Sequence, residues 1–186
     1  MSRRIDWISW IALLLPLMGI LPSIGAGVID AADSIFHVHR IYALRLLLEQ
    51  GDLYPRWVSY FHLGYGYPIF NFYAPGSYYF GAFLTYFGIH VPDAYNLVSA
   101  FAWMFGSLGC YWLARRWLPA SAALLAALLW ALHPFLIWHA QDTKAYSIWA
   151  AFSGLALWLA LRALDKRRPI DWLLYVAAAS IAAYLY

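Results

Sequence analysis

Nothing constrains the fold of this chain more than its long stretches without Asp, Glu, Lys or Arg: residues 7–29, 94–114, 117–141, 145–161 and 172–186 are all uncharged. Roughly 20 apolar residues cross the hydrocarbon layer of a bilayer as a helix, so most of these stretches are long enough to span. Composition agrees, since 65% hydrophobic and 11% charged residues, with a mean hydropathy of +0.63, exceed what a soluble domain can hide. The expected fold is therefore all-α, a polytopic transmembrane helical bundle of about five spans. Arg3 and Arg4 resemble the start of a signal peptide. The apolar stretch behind them is longer than a signal peptide needs, and further spans follow, so it reads as a retained anchor. Cys110 is the only cysteine, which rules out an intramolecular disulfide. The net charge of +3 comes from short basic clusters at span ends, which orient a chain in a membrane and call for no nucleic-acid partner.

The longest uncharged stretch, 57–92, is punctuated by Gly64, Gly66, Pro68, Pro75, Gly76, Gly81, Gly88 and Pro92. Its one clean apolar run, 77–89, is too short to span comfortably. The positive-inside rule wants Arg3/Arg4, Arg115/Arg116 and Lys166/Arg167/Arg168 all on the cytoplasmic side, which requires no net crossing between Gly25 and Asp93. Residues 25–92 then form one external loop with interfacial or re-entrant helices. Spans follow at 94–114, 118–138, 144–164 and 170–186. Asp30, Asp33, the aromatic loop and the turn His139-Ala-Gln141-Asp142-Thr-Lys144 come to the same outer face.

Within the loop, the spacing lets Asp30 act as a helix N-cap with Asp33 in the first turn. Asp33, His37 and Arg40 fall at i, i+4 and i+7, on one helical face. Such a stripe suits a solvated surface. It equally suits a carboxylate that deprotonates an acceptor or binds a metal, beside a cation that binds phosphate. His37 and His39 do not share a face, which disfavours a zinc site built from both. Nine of the fifteen tyrosines lie between Tyr54 and Tyr95, among them the segments Pro55-Arg56-Trp57 and Gly64-Tyr-Gly66-Tyr-Pro68. An interfacial aromatic belt accounts for that enrichment. So does a walled groove for an isoprenoid tail or sugar, with Arg56 as phosphate partner. Asp142 has the look of an N-cap for the fourth span, while Lys144 at an outer span end is unusual and favours a ligand-facing role. Pro119 fits a first helical turn; Pro16 and Pro134 are placed to kink their helices.

The stretch Asp33-Ser-Ile-Phe-His37-Val-His39-Arg40-Ile41, followed by Gly51-Asp52-Leu-Tyr54-Pro55-Arg56-Trp57 and Gly64-Tyr-Gly66-Tyr-Pro68-Ile-Phe70-Asn71-Phe-Tyr73, resembles a bacterial membrane-protein family often labelled 6-pyruvoyl-tetrahydropterin synthase-related. Despite that label, its members look like polytopic GT-C glycosyltransferases. The segment His133-Pro134-Phe-Leu-Ile-Trp-His139-Ala-Gln141-Asp142-Thr-Lys144-Ala-Tyr146 is similar to one in protein mannosyltransferase and aminoarabinose transferase relatives, where an acidic-basic-Tyr cluster follows a Pro-containing helix. The resemblance implies one GT-C-like module over 1–186, incomplete at its C-terminus, in a bacterial cytoplasmic membrane with its N-terminus inside and its active site outside. It implies a polyprenyl-phosphate sugar donor and an unknown acceptor. Asp33 would be the base or acceptor-orienting group, with Asp30 and His37 beside it; Arg40, Arg56, Gln141, Asp142, Lys144 and Tyr146 would bind substrate. Lys144 departs from the Arg that relatives often carry, which weakens bidentate phosphate binding. A divalent cation is left open, as are protein partners. The alternative is a non-catalytic or truncated membrane subunit that binds polyprenyl lipid or scaffolds a partner.

Overall fold

The structure, a computed structural model, describes residues 7–23, 25–28, 33–141 and 146–185. Among them the regular structure is helical: α1 (Trp7–Leu14), α2 (Leu17–Ile20), α3 (Ser34–Glu49), α4 (Ile69–Phe72), α5 (Gly76–Thr85), α6 (Val91–Ala114), α7 (Ala120–Leu132), α8 (Pro134–Gln141), α9 (Tyr146–Lys166) and α10 (Pro169–Leu185). The only β-type pairing among them is one antiparallel bridge between Val58 and Tyr67.

Two helices, α6 with 24 residues and α9 with 21, are long and apolar enough to cross a membrane alone. At 1.5 Å per residue they reach roughly 36 and 31 Å. The other expected spans are broken or shorter. Proline supplies the breaks. Pro16 ends the first apolar helix, and Pro134 splits the expected span 118–138 into α7 and α8. A proline lacks the N–H that would bond the carbonyl four residues back. The carbonyl of Ala12 is instead satisfied by the hydroxyl of Ser107 on α6, at 2.7 Å. The carbonyl of Trp130 instead accepts the His133 N–H, three residues on, in a long bond of 3.4 Å. Pro119 stands at the N-cap position of α7, one residue before the first turn in which it was expected.

Helix α6 is the hub, packing against α1, α3, α5, α7 and α9, while α9 also packs along α10. Small residues make these approaches possible: Ala123, Ala127, Ala151, Ala156, Ala163, Ala178 and Ala182 are all buried. At Gly106 the Trp130 indole lies where a Cβ would sit, 2.5 Å from its position. The C-terminal ends of α6 and α9 meet the start of α10 at a basic end, tied by Arg116–Asp165 (2.8 Å) and Arg162–Asp171 (2.6 Å). At the opposite end, α3 and α5 pack over the N-terminal part of α6, around a core of Val38, Ile41, Leu44, Val58, Phe70 and Tyr95. The run expected to be interfacial contains α5, ten residues long, or roughly 15 Å against about 30 Å of hydrocarbon.

Candidate functional site

The N-terminus of α3 lies further along the chain than its spacing predicts. Asp33 occupies the N-cap position itself, without a capping bond from its side chain, rather than the first turn. Asp30, the expected cap, lies outside the described residues. The helix begins at Ser34 because the Asp33 carbonyl already accepts the N–H groups of Phe36 and His37, at 3.0 and 3.2 Å.

From that start, His37 and Arg40 converge on a residue of another helix, Tyr78 of α5. His37 Nδ1 lies 2.8 Å from the Tyr78 hydroxyl, and Arg40 donates to the same hydroxyl at 3.1 Å. Arg40 also approaches His37 Nδ1 at 3.4 Å. A guanidinium can only donate, so a proton on Nδ1 would face another N–H. Nδ1 therefore accepts from the Tyr78 O–H, which places the imidazole proton on Nε2. His37 is 3% exposed and its ring lies between those of Tyr78 and Tyr95. The Arg40 guanidinium stays partly open to solvent and sits over the Tyr73 ring, 4.0 Å from its centroid. Burial pushes the Tyr78 hydroxyl above the ordinary phenol range, an effect that Arg40 opposes and the charge of Asp33 reinforces.

Arg56 is a second cation on this end. Its Nε donates to Asn71 Oδ1 at 2.5 Å, and its guanidinium lies 5.4 Å from the Tyr54 ring centroid. Arg40 and Arg56 are thus both held by one short segment, through Tyr73 and Asn71. Neither has a carboxylate partner among the described residues. His39 points elsewhere, its Nδ1 bonded to the Ile35 carbonyl at 2.7 Å.

The second sequence cluster is placed only in part. Tyr146 opens α9 and is exposed. Gln141 closes α8, and its side chain, like Asp142 and Lys144 altogether, falls outside what is described. Among the described residues no three His, Cys, Asp or Glu come together as metal ligands. Tyr78 is the residue that sequence reading missed. The signal was its register: on a helix starting at Gly76, Tyr78 shares a face with Gly81 and Ala82, so it must be buried, and a buried phenol needs a partner.

Tyr78 faces α3, whereas Phe80 and Phe83 of the same helix line an apolar cleft of about 470 Å³ between α5, α6 and α9. Phe101, Phe105, Trp112 and Phe152 complete its wall. A cationic, tyrosine-lined rim and an apolar cleft thus lie on two sides of one helix. Residues 73–186 match the family described as dolichyl-phosphate-mannose-protein mannosyltransferase, and the chain belongs to it, which makes it a member of a membrane glycosyltransferase family. The match takes in α5 to α10 and begins after Asp33, His37, Arg40 and Arg56. No curated protein and no solved structure matches the chain.

Proposed function

We propose that this protein transfers a sugar from a polyprenyl-phosphate-linked donor to an acceptor on the outer face of the membrane, as a GT-C-type enzyme. One observation carries the reading. Helix α5 separates a cationic rim, suited to a phosphate, from an apolar cleft suited to an isoprenoid chain. Asp33 takes the proton of the acceptor nucleophile as that atom bonds to the anomeric carbon, and the bond from that carbon to the phosphate oxygen breaks. The polyprenyl phosphate leaves with the electron pair. Arg56, with Lys144, neutralises the charge that builds on the phosphate. Arg40 positions the reacting groups, and His37 holds Arg40 through Tyr78. Asp30 supports Asp33; Gln141, Asp142 and Tyr146 complete the binding face. The family match takes in the cleft but neither Asp33 nor the rim arginines, which favours a second reading: a subunit that binds polyprenyl lipid without catalysing transfer.

The test is binding of undecaprenyl phosphate to the purified protein. Arg56→Ala and Lys144→Ala should weaken it about tenfold, the loss of one charge-assisted contact. Arg167→Ala, at the basic end, should leave it unchanged. Equal losses at all three would mean general attraction to anionic lipid and would sink the proposed site.

A further inference from the structure

Residues 57–67 form a finger with a stiff base and an apolar tip, and the proposed transfer uses neither. The base is a two-way backbone bridge: Val58 and Tyr67 exchange N–H···O bonds, both 3.0 Å, and Gly66 donates to the Phe61 carbonyl at 2.9 Å. The Trp57 ring presses on Gly66, where a Cβ would come within 2.6 Å of the indole, and φ is +81°. The His62 ring packs edge-on against Tyr67, with centroids 4.6 Å apart. At the tip, two successive non-glycine residues, His62 and Leu63, are held in the left-handed region at φ 52° and 59°. Leucine rarely adopts that conformation, and it persists only where the surroundings over-determine it. The result is a leucine side chain that is 99% exposed, beside Tyr65 at 86%.

We propose that this finger seats its tip, Leu63 and Tyr65, in the headgroup layer of the bilayer. Strained backbone that delivers an apolar side chain into water gains nothing for a solvated loop, so the tip is built for another medium. Chemistry chooses the bilayer over a protein partner. The tip offers a leucine and an amphipathic phenol, the pairing that favours an interface, and residues 57–92 contain no charge with which to select a partner. Position agrees. Tyr79 of α5 donates to the Leu53 carbonyl at 2.7 Å, just before the finger, and Gly76 of the same helix approaches Tyr184 and Leu185 at the C-terminal end of α10. The finger therefore springs from the end of the bundle where α10 finishes, and an interface at that end would meet its tip. The proposal needs only the membrane character of the chain, so it stands or falls separately from the transferase reading.

Nitroxide labels would be placed singly in a Cys110→Ser background at Leu63→Cys and Tyr65→Cys. Gln50→Cys is the exposed aqueous reference and Phe105→Cys the hydrocarbon reference. With the full chain in phosphatidylethanolamine–phosphatidylglycerol vesicles, collision rates with oxygen and with a water-soluble nickel chelate report depth. The oxygen-to-nickel ratio at Leu63 and Tyr65 should be several-fold above that at Gln50 and below that at Phe105. A ratio at both positions equal to that of Gln50 overturns the proposal and leaves the tip as a surface for a soluble partner. Both tip residues are exposed, so their replacement spares the packing. Agreement between the two labels guards against a local change in the turn.

Discussion

Two pairs of arginines, one at each end of the helical bundle, are held in opposite ways. At the basic end, guanidinium groups meet carboxylates: Arg116 pairs with Asp165, and Arg162 pairs with an Asp171 that is fully buried. At the other end, Arg40 and Arg56 meet tyrosine rings and neutral oxygens, Tyr73 with Tyr78 and Tyr54 with Asn71. A carboxylate cancels the charge it orients, whereas a ring or an amide orients a cation and leaves its charge in place. The first arrangement fastens helices together. The second keeps the charge of Arg40 and Arg56 ready for an anion, which is why the proposed phosphate site falls beside them; Arg45 at the same end pairs with Glu49 at 2.9 Å.

Breaking the contrast starts with the largest expected effect. Asp33→Asn should lower transfer by about 10²- to 10⁴-fold, the usual contribution of a general base, with membrane insertion and abundance unchanged. An active, correctly inserted Asp33→Asn protein would remove the base from the mechanism. At the basic end the largest effect should be on stability. Asp171→Ala strands Arg162 and should cost about 3 kcal/mol, near the low end for a broken buried pair because the Arg162 side chain is 32% exposed. Asp165→Asn, whose carboxylate is mostly in solvent, should cost under about 1 kcal/mol. Thermal unfolding in detergent measures both, and equal costs would erase the distinction between buried latch and surface pair.

Tyr78→Phe sharpens the comparison from the other side. It removes the hydroxyl that joins His37 to Arg40 and should destabilise by about 1–3 kcal/mol. Its pH signature is distinct. Burial raises the Tyr78 pKa in the folded protein, so its contribution is complete below the unfolded value near 10 and is lost as pH rises through the higher folded value. Wild-type protein should thus lose stability above about pH 10 to a degree that Tyr78→Phe does not, as alkaline unfolding midpoints would show.

The long apolar elements were legible because charge-free runs of 20 or so residues admit few structures in lipid. The expected spans 94–114 and 144–164 correspond to α6 and α9, with ends shifted by at most three residues. Breaks at Pro16 and Pro134 were legible from the missing N–H. The start of α3 was misread because Asp30 and Asp33 are equally good caps on paper, and only the chain's approach decides between them. The stripe of Asp33, His37 and Arg40 could be seen, but not what it faces. Tyr78 lies 41 residues from His37, and no local rule joins them. The aromatic count could not separate belt from site either: Tyr78 and Tyr95 are buried against His37, whereas Tyr65 is exposed.

The hydroxyl of Ser107 that closes on the Ala12 carbonyl carries a consequence for biosynthesis. The N-terminal segment emerges from the ribosome with a carbonyl that Pro16 has left unpaired, and its acceptor stays unmatched until a residue 95 positions later arrives. An unmatched carbonyl is costly away from water, so α1 is fully satisfied only once α6 lies beside it. The Ala12 carbonyl thus ties the seating of α1 to α6, a helix made much later in the chain.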